Sequence, residues 1–156
     1  MLPDFEAQCA DLHRAAYQAG FRLLGDRAAA EDVAQEAVAR CLVRWARVAD
    51  HALPWVVRVA TNLGIDEMRR RQRHSMPVEQ TAPSADLDRR RDLVRVLAQL
   101  PKRQREVVAL RYLADLDDDS IAGLLGVSRG SVKQHAARGL AALRRDPSTM
   151  EMTRDV

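Results

Sequence analysis

Apolar residues recur at spacings of three and four along most of the chain, and no stretch alternates in the two-residue period of a strand. That pattern predicts an all-α protein. A first helix is expected over about 5–24, with Leu12, Ala16, Ala19 and Leu23 on one stripe. A second is expected over 28–49, with Ala34, Val38, Cys41, Leu42 and Trp45 facing inward and Asp32, Glu36, Arg40 and Val43 opposite. Asp26 stands where an N-cap belongs, and Glu31 and Asp32 suit the positive end of that helix. Pro54 is placed to open a third helix, through Trp55, Val59 and Leu63 towards Arg71. Its first turns are apolar nearly all round, so it should lie between other helices, with Trp45 and Trp55 in the core.

The stretch SMPVEQTAPSADLD at 75–88 carries two prolines and no helical stripe, and reads as a flexible linker, taken as 75–91 between domains. Helical spacing returns with Leu93, Val94, Leu97 and Leu100, and Pro101 opens a further helix through Val107, Val108, Leu110 and Leu113. The expected organisation is two small helical domains, 1–74 and 92–146, and a tail at 147–156.

The strongest motif begins at Asp119, DSIAGLLGVSRGSVKQHAARGLAALRR. A short helix from Ser120 to Leu125, a turn at Gly126 and a second helix capped by Ser128 make a helix-turn-helix. Ala122 is small enough for close helix approach, Gly126 tolerates a left-handed backbone, and Val132 packs the second helix down. At about 100° per residue, Val132, Ala136, Leu140 and Leu143 point inward. Gly130, Gln134, Arg138, Ala141 and Arg145 point outward, flanked by Ser131, Lys133 and His135. That face is polar or small near its start, the end that meets base edges in a major groove. Arg103, Arg105 and Arg111 on the preceding helix are placed to hold phosphates. The bland alternative is a helical hairpin with a solvated basic face.

Composition narrows the reading. The 156 residues carry a net charge of +3, and positive charge gathers within 54–74 and again within 93–145, interrupted by the acidic run Asp115–Asp119. Those acids are expected to cap the short helix and to keep phosphates off that edge. No apolar run approaches the roughly 20 residues of a membrane span, and the start of the chain lacks the order of a secretory signal. Cys9 and Cys41 make neither a disulfide framework nor a zinc site, and are expected to be reduced core residues of a cytoplasmic protein. His13, His51, His74 and His135 are scattered, with no nucleophile–base pairing. No catalysis, metal or cofactor is expected.

LLGDRAAAEDVAQEAVARCLVRW followed by PWVVRVATNLGIDEMRRRQR resembles the second conserved domain of bacterial RNA polymerase sigma factors of the extracytoplasmic-function type, a branch of the sigma-70 family. LPKRQREVVALRYLADLDDDSIAGLLGVSRGSVKQHAARGLAALRR resembles their fourth. The likeness covers roughly 5–74 and 93–145 and is strongest to the small actinobacterial subgroup with short linkers. It implies a dissociable specificity subunit that binds core RNA polymerase, opens the −10 promoter element with the first domain and reads the −35 element as duplex with the second. An anti-sigma partner is implied as well. By the same resemblance, polymerase contact falls on Asp32, Gln35, Glu36 and Arg40. The −10 role falls on the loop around Val48–Leu53 and the helix after it, with Asn62 touching the melted strand and Arg58, Arg69 and Arg70 holding backbone. The −35 readers fall on Ser131, Lys133, Gln134, His135 and Arg138, supported by Arg105 and Arg111. His135 stands where the family often has arginine, which bears on promoter sequence rather than on domain function.

Two competing classes are weaker. A stand-alone helix-turn-helix regulator usually dimerises, and no dimer seam is legible; a nuclease built on Asp117, Asp118 and Asp119 would need acids that converge on one metal. Reach is consistent with two promoter grips: fourteen extended linker residues, 75–88, span at most about 45–50 Å, against elements roughly 35–70 Å apart.

Overall fold

The computed structural model describes residues 3–74 and 85–146, and every regular element among them is helical. Helix α1 (Pro3–Leu24) packs along α2 (Arg27–Val43) and α4 (Ala52–Arg73), with short α3 (Trp45–Val48) and a 3-10 turn (Ala49–His51) between the last two. The second half comprises α5 (Ala85–Gln99), α6 (Lys102–Tyr112), α7 (Asp118–Leu125) and α8 (Arg129–Arg145).

The expected stripe of α1 is buried in full, Leu12, Ala16, Ala19 and Leu23 meeting Ala34, Cys41, Val56 and Ile65 across the first core. Asp26 caps α2, its carboxylate accepting from the Ala29 N–H at 3.2 Å. Glu31 does not serve the positive helix end; it accepts from His13 and Gln35, each at 3.0 Å. The single helix expected over 28–49 is broken at Arg44, whose N–H is shared between the Arg40 and Cys41 carbonyls. The break turns Trp45 into the core, edge-on to Phe5 with ring centroids 5.1 Å apart, a favoured aromatic geometry. It also leaves Leu42, expected inside, 43% exposed. Trp55 is only half-buried, packed beside the core rather than within it.

In the second half Val132, Ala136 and Leu143 are buried as their spacing requires, whereas Leu140 is half-buried and Gly139 takes the inward place beside it. Gly139 is where α8 crosses α6: a Cβ there would lie 2.6 Å from Val108 Cγ2, so no larger residue fits without displacement. Helix α7 starts at Asp118, two residues before the expected Ser120, because Asp117 caps it by accepting from the Ser120 N–H at 2.7 Å. Gly126 ends α7 in the left-handed region at φ 65°.

The two helical regions joined by a linker stand as expected, and the structure adds two particulars. Residues 85–91, assigned to the linker, belong to α5, whose first turn has too little apolar stripe to declare itself. And the halves are not apart: α4 packs on α5, α6 and α7, and α1 packs on α5. Linker residues 75–84 and the tail at 147–156 lie outside the described residues.

Candidate nucleic-acid and protein interfaces

The duplex-reading candidate is the outer face of α8. Ser128 fixes its start, with the Ser131 N–H donating to Ser128 Oγ at 3.0 Å and the two hydroxyls 2.9 Å apart. A capped and packed helix presents its side chains without having to order itself first. Lys133, Gln134 and Arg138 are exposed on that face, and no hydrogen bond or ion pair engages them among the described residues. Ser131 and His135 are half-buried, and His135 Nδ1 is enclosed without a partner, so His135 sits at the edge of this face rather than on it.

The phosphate candidates of α6 are less free. Arg111 forks onto Asp118 at 3.4 Å, and Arg103 Nη1 reaches Glu106 Oε2 at 3.2 Å. Arg105 is half-buried with its Nε enclosed and unbonded; burial holds its guanidinium below the usual pKa, and the neighbouring Arg69 charge pushes the same way. Of the acidic run, Asp117 caps α7 and Asp119 meets Arg129 at 3.7 Å. The Ser120 backbone bond holds Asp117 below the usual carboxylate range.

On α2, Asp32, Gln35, Glu36 and Arg40 are all exposed on one face, with Glu36 and Arg40 joined at 2.6 Å. Val43 continues that face and is 82% exposed, and Leu42 beside it in sequence and Leu53 at the start of α4 are also bare. Charged groups ringing exposed aliphatic side chains are the composition of a protein-docking surface. The apolar part of it was only half legible, since Leu42 was expected inside.

The third group of candidates lies on α4, and here the structure adds a residue that periodicity did not single out. Arg58 brings Nε and Nη2 to Glu106 Oε1 at 3.1 Å each, and Asn62 Nδ2 reaches the same oxygen at 3.4 Å. Arg69 Nη2 donates to the Ala98 carbonyl at 2.6 Å. Thus three of the four −10 candidates face the second half of the chain rather than open solvent. Arg70 is the exception, exposed and paired with Glu67 at 2.7 Å. Arg71 shares Glu67 and also bonds Asp26 at 3.3 Å, which ties the end of α4 to the α2 cap. Glu106 carried a signal in hindsight: it opens the run Glu106–Leu110, buried at five successive positions, and a carboxylate in such a run needs charged partners from elsewhere.

No group of three or more His, Cys, Asp or Glu residues suited to a metal occurs among the described residues, and no described helix is long and apolar enough to cross a membrane. Cys41 is buried and Cys9 half-buried; burial, then the nearby Cys9, pushes the Cys41 thiol pKa up, away from the reactive thiolate.

Comparison with known proteins gives two family matches, to sigma-70 region 2 over residues 10–74 and to sigma-70 region 4 over residues 90–143. The RNA polymerase sigma-E factor of Streptomyces avermitilis is 30% identical over 96% of this chain and 88% of its own length. The ECF RNA polymerase sigma factor SigL of Mycobacterium tuberculosis is 33% identical over 85% of this chain and 82% of its own. Among solved structures, the sigma factor RpoE of Bartonella quintana, in complex with the anti-sigma factor NepR, aligns with a TM-score of 0.56 over 91% of this chain and 95% of that one. At 20% identity that last likeness speaks to the fold alone.

Proposed function

The chain belongs to the extracytoplasmic-function type of RNA polymerase sigma factors in the sigma-70 family, and on that premise we propose how its surfaces divide the work of promoter-specific initiation. The α2 face of Asp32, Gln35, Glu36 and Arg40, with Val43 beside it, docks on core RNA polymerase. The outer face of α8 reads the −35 element as duplex: Lys133 or Arg138 pairs with guanine and Gln134 with adenine, Ser131 holds the approach, and His135 flanks it. Arg111 and Arg105 supply phosphate contacts from α6. On α4, Asn62 meets the melted −10 strand while Arg58, Arg69 and Arg70 hold its backbone. RNA synthesis belongs to the polymerase; this chain contributes placement and strand capture, in the cytoplasm, without a cofactor. An anti-sigma partner would cover the same faces.

The observation that supports this division best is the state of α8: a recognition helix capped by Ser128, seated through Val132, Ala136 and Gly139, with Lys133, Gln134 and Arg138 bare. Run-off transcription by purified core polymerase on a library of genomic promoter fragments, with and without this protein, tests it. The expected result is a discrete set of start sites that depends on the protein. Unchanged start sites would return the chain to the class of stand-alone regulators.

A further inference from the structure

We infer that Cys9 and Cys41 are a redox pair, which a peroxide-class oxidant converts into an internal disulfide that staples α1 to α2.

The two thiols meet through the register of an antiparallel helix pair. At one end of the seam Phe5 lies edge-on to Trp45, with ring centroids 5.1 Å apart. Towards the other end, a Cβ on Gly20 would lie 3.5 Å from Ala30 Cα. Cys9 is four residues on from Phe5, about one turn of α1, and Cys41 is four residues back from Trp45, so the same register brings both sulfurs to one level. Further along the seam the residues are small, with Ala16 and Ala34 fully buried beside Gly20 and Ala30, and the backbones can approach as closely as a disulfide requires. Cys41 is fully buried and Cys9 packs half-buried against the same core. Both are free thiols in the structure, and Cys9 is near enough for its charge to oppose ionisation of Cys41.

The two positions divide the chemistry. Cys9, reachable from solvent, meets the oxidant; Cys41, enclosed, resolves the product. The Cys9 sulfur attacks one peroxide oxygen, the O–O bond breaks, and the departing hydroxide leaves as water with the thiol proton, so Cys9 becomes a sulfenic acid. The Cys41 sulfur then attacks that sulfur; the S–S bond forms as the S–O bond breaks, and hydroxide takes the Cys41 proton as a second water. The thiols together lose two electrons and two protons, and one peroxide becomes two waters. Burial keeps Cys41 in its thiol form and slows the second step, so the pair answers a sustained oxidant rather than a brief one. A dithiol reductant reverses the bridge by thiol–disulfide exchange.

The bridge closes a loop of about 32 residues that contains the α1–α2 turn, which restricts the unfolded chain far more than the folded one. It also fixes the end of α2, where the Cys41 carbonyl accepts from the Arg44 N–H at 3.1 Å at the break that turns Trp45 inward. Asp32, Gln35, Glu36 and Arg40 are exposed while Cys41 is buried, so oxidation hardens the first half without altering the face proposed for polymerase.

The test treats the full reduced chain with hydrogen peroxide, removes the excess with catalase, and reads intact mass, peptide linkage and thermal melting. The expected product is a monomer about 2 Da lighter, the two hydrogens given up in the bridge, with Cys9 joined to Cys41. Its melting temperature should rise by about 10 °C and return with dithiothreitol. Cys9→Ser should melt within a few degrees of the reduced wild type, since Cys9 is half-buried, and should lose both the mass change and the oxidant-induced rise. Cys41→Ala should behave alike under oxidant; should it fail to fold, linkage and melting of the wild type decide alone. Gains of about 16 or 32 Da on single cysteines without the bridge, a disulfide between two chains, or a bridged monomer that melts no higher than the reduced chain each overturn the inference.

Discussion

The two halves carry comparable positive charge but keep it in different conditions. Lys133, Gln134 and Arg138 stand bare on α8, whereas Arg58, Asn62 and Arg69 on α4 are already bonded to groups of the second half. The difference suits what each surface is proposed to meet. Duplex is a rigid ligand, so a rigid helix with its readers in place loses least on binding it. A melted strand must first be pulled from its stack, and a basic groove left open would collect any single strand in its path. On the proposed assignments, covering the second surface and leaving the first bare would let the chain sample duplex without committing it to melting.

The largest effects should come from asking whether the halves are also thermodynamically distinct. Ile121, fully buried between α7 and its neighbours, is replaced by alanine at a cost of about 2–5 kcal/mol. If packing of α4 on α5–α7 only loosely couples the halves, Ile121→Ala should split the melting curve, with amide exchange accelerated over 118–145 and unchanged in α1 and α2. A single shifted transition would mean that the halves fold as one unit and that the contrast is one of surface alone. Gly139→Ala comes next. It adds a methyl 2.6 Å from Val108 Cγ2, which should cost about 1–3 kcal/mol of overpacking and tilt α8 on α6. Loss of −35 duplex binding with unchanged capture of single strand would confine the damage to the bare surface.

Legibility in the sequence also divides along this line. Where one helix face serves one purpose, spacing sufficed: the α1 stripe, the Asp26 and Ser128 caps, the turn at Gly126 and the outward set of α8 are where periodicity puts them. It failed where a residue answers to two partners. Trp45 and Leu42 share a stripe in projection, but the chain breaks at Arg44 to bring Trp45 onto Phe5, and Leu42 is left outside. Glu106 reads as an ordinary surface acid in LPKRQREVVALRY, because the arginine that buries it lies 48 positions away. Periodicity reports which face is covered, never by what. The packing of α5 and α6 on α4 was for that reason invisible, and the prolines of the linker argued for separation.

A narrower change tests the reading of the bare surface. Lys133→Ala removes a proposed reader but no packing, since the side chain is exposed on α8. Discrimination among −35 sequences should fall by about 1–3 kcal/mol, the worth of one base-edge contact. Arg105→Ala should weaken binding of all sequences alike and lower the salt slope by about one, the loss of a single phosphate contact. Competition titrations over a panel of single-base −35 variants, at two salt concentrations, distinguish the two. A uniform loss for both residues would show that α8 holds the backbone, and the claimed difference between the surfaces would shrink to exposure.

The smallest effect concerns Asp26, the one residue that fastens two ends of the first half. Its carboxylate caps α2 through the Ala29 N–H and meets Arg71 at the end of α4 at 3.3 Å. The backbone bond from Ala29 is the main cause holding its carboxyl below the usual aspartate range, and Arg71 acts in the same direction. A carboxyl with a lowered folded-state pKa stabilises the fold above its unfolded value, and that contribution drains away as pH falls through the folded one. Asp26→Ala should therefore cost about 1 kcal/mol at neutral pH, as loss of an N-cap does. The gap between variant and wild type should narrow without closing below about pH 4, the ordinary range for aspartate titration, because the protonated carboxyl still offers an acceptor to the Ala29 N–H. Asn at this position keeps a cap acceptor without the titration, so Asp26→Asn should recover most of the stability while flattening its acid dependence. A gap that persists undiminished at pH 3 would assign the loss to packing at the α2–α4 corner instead of to the charge.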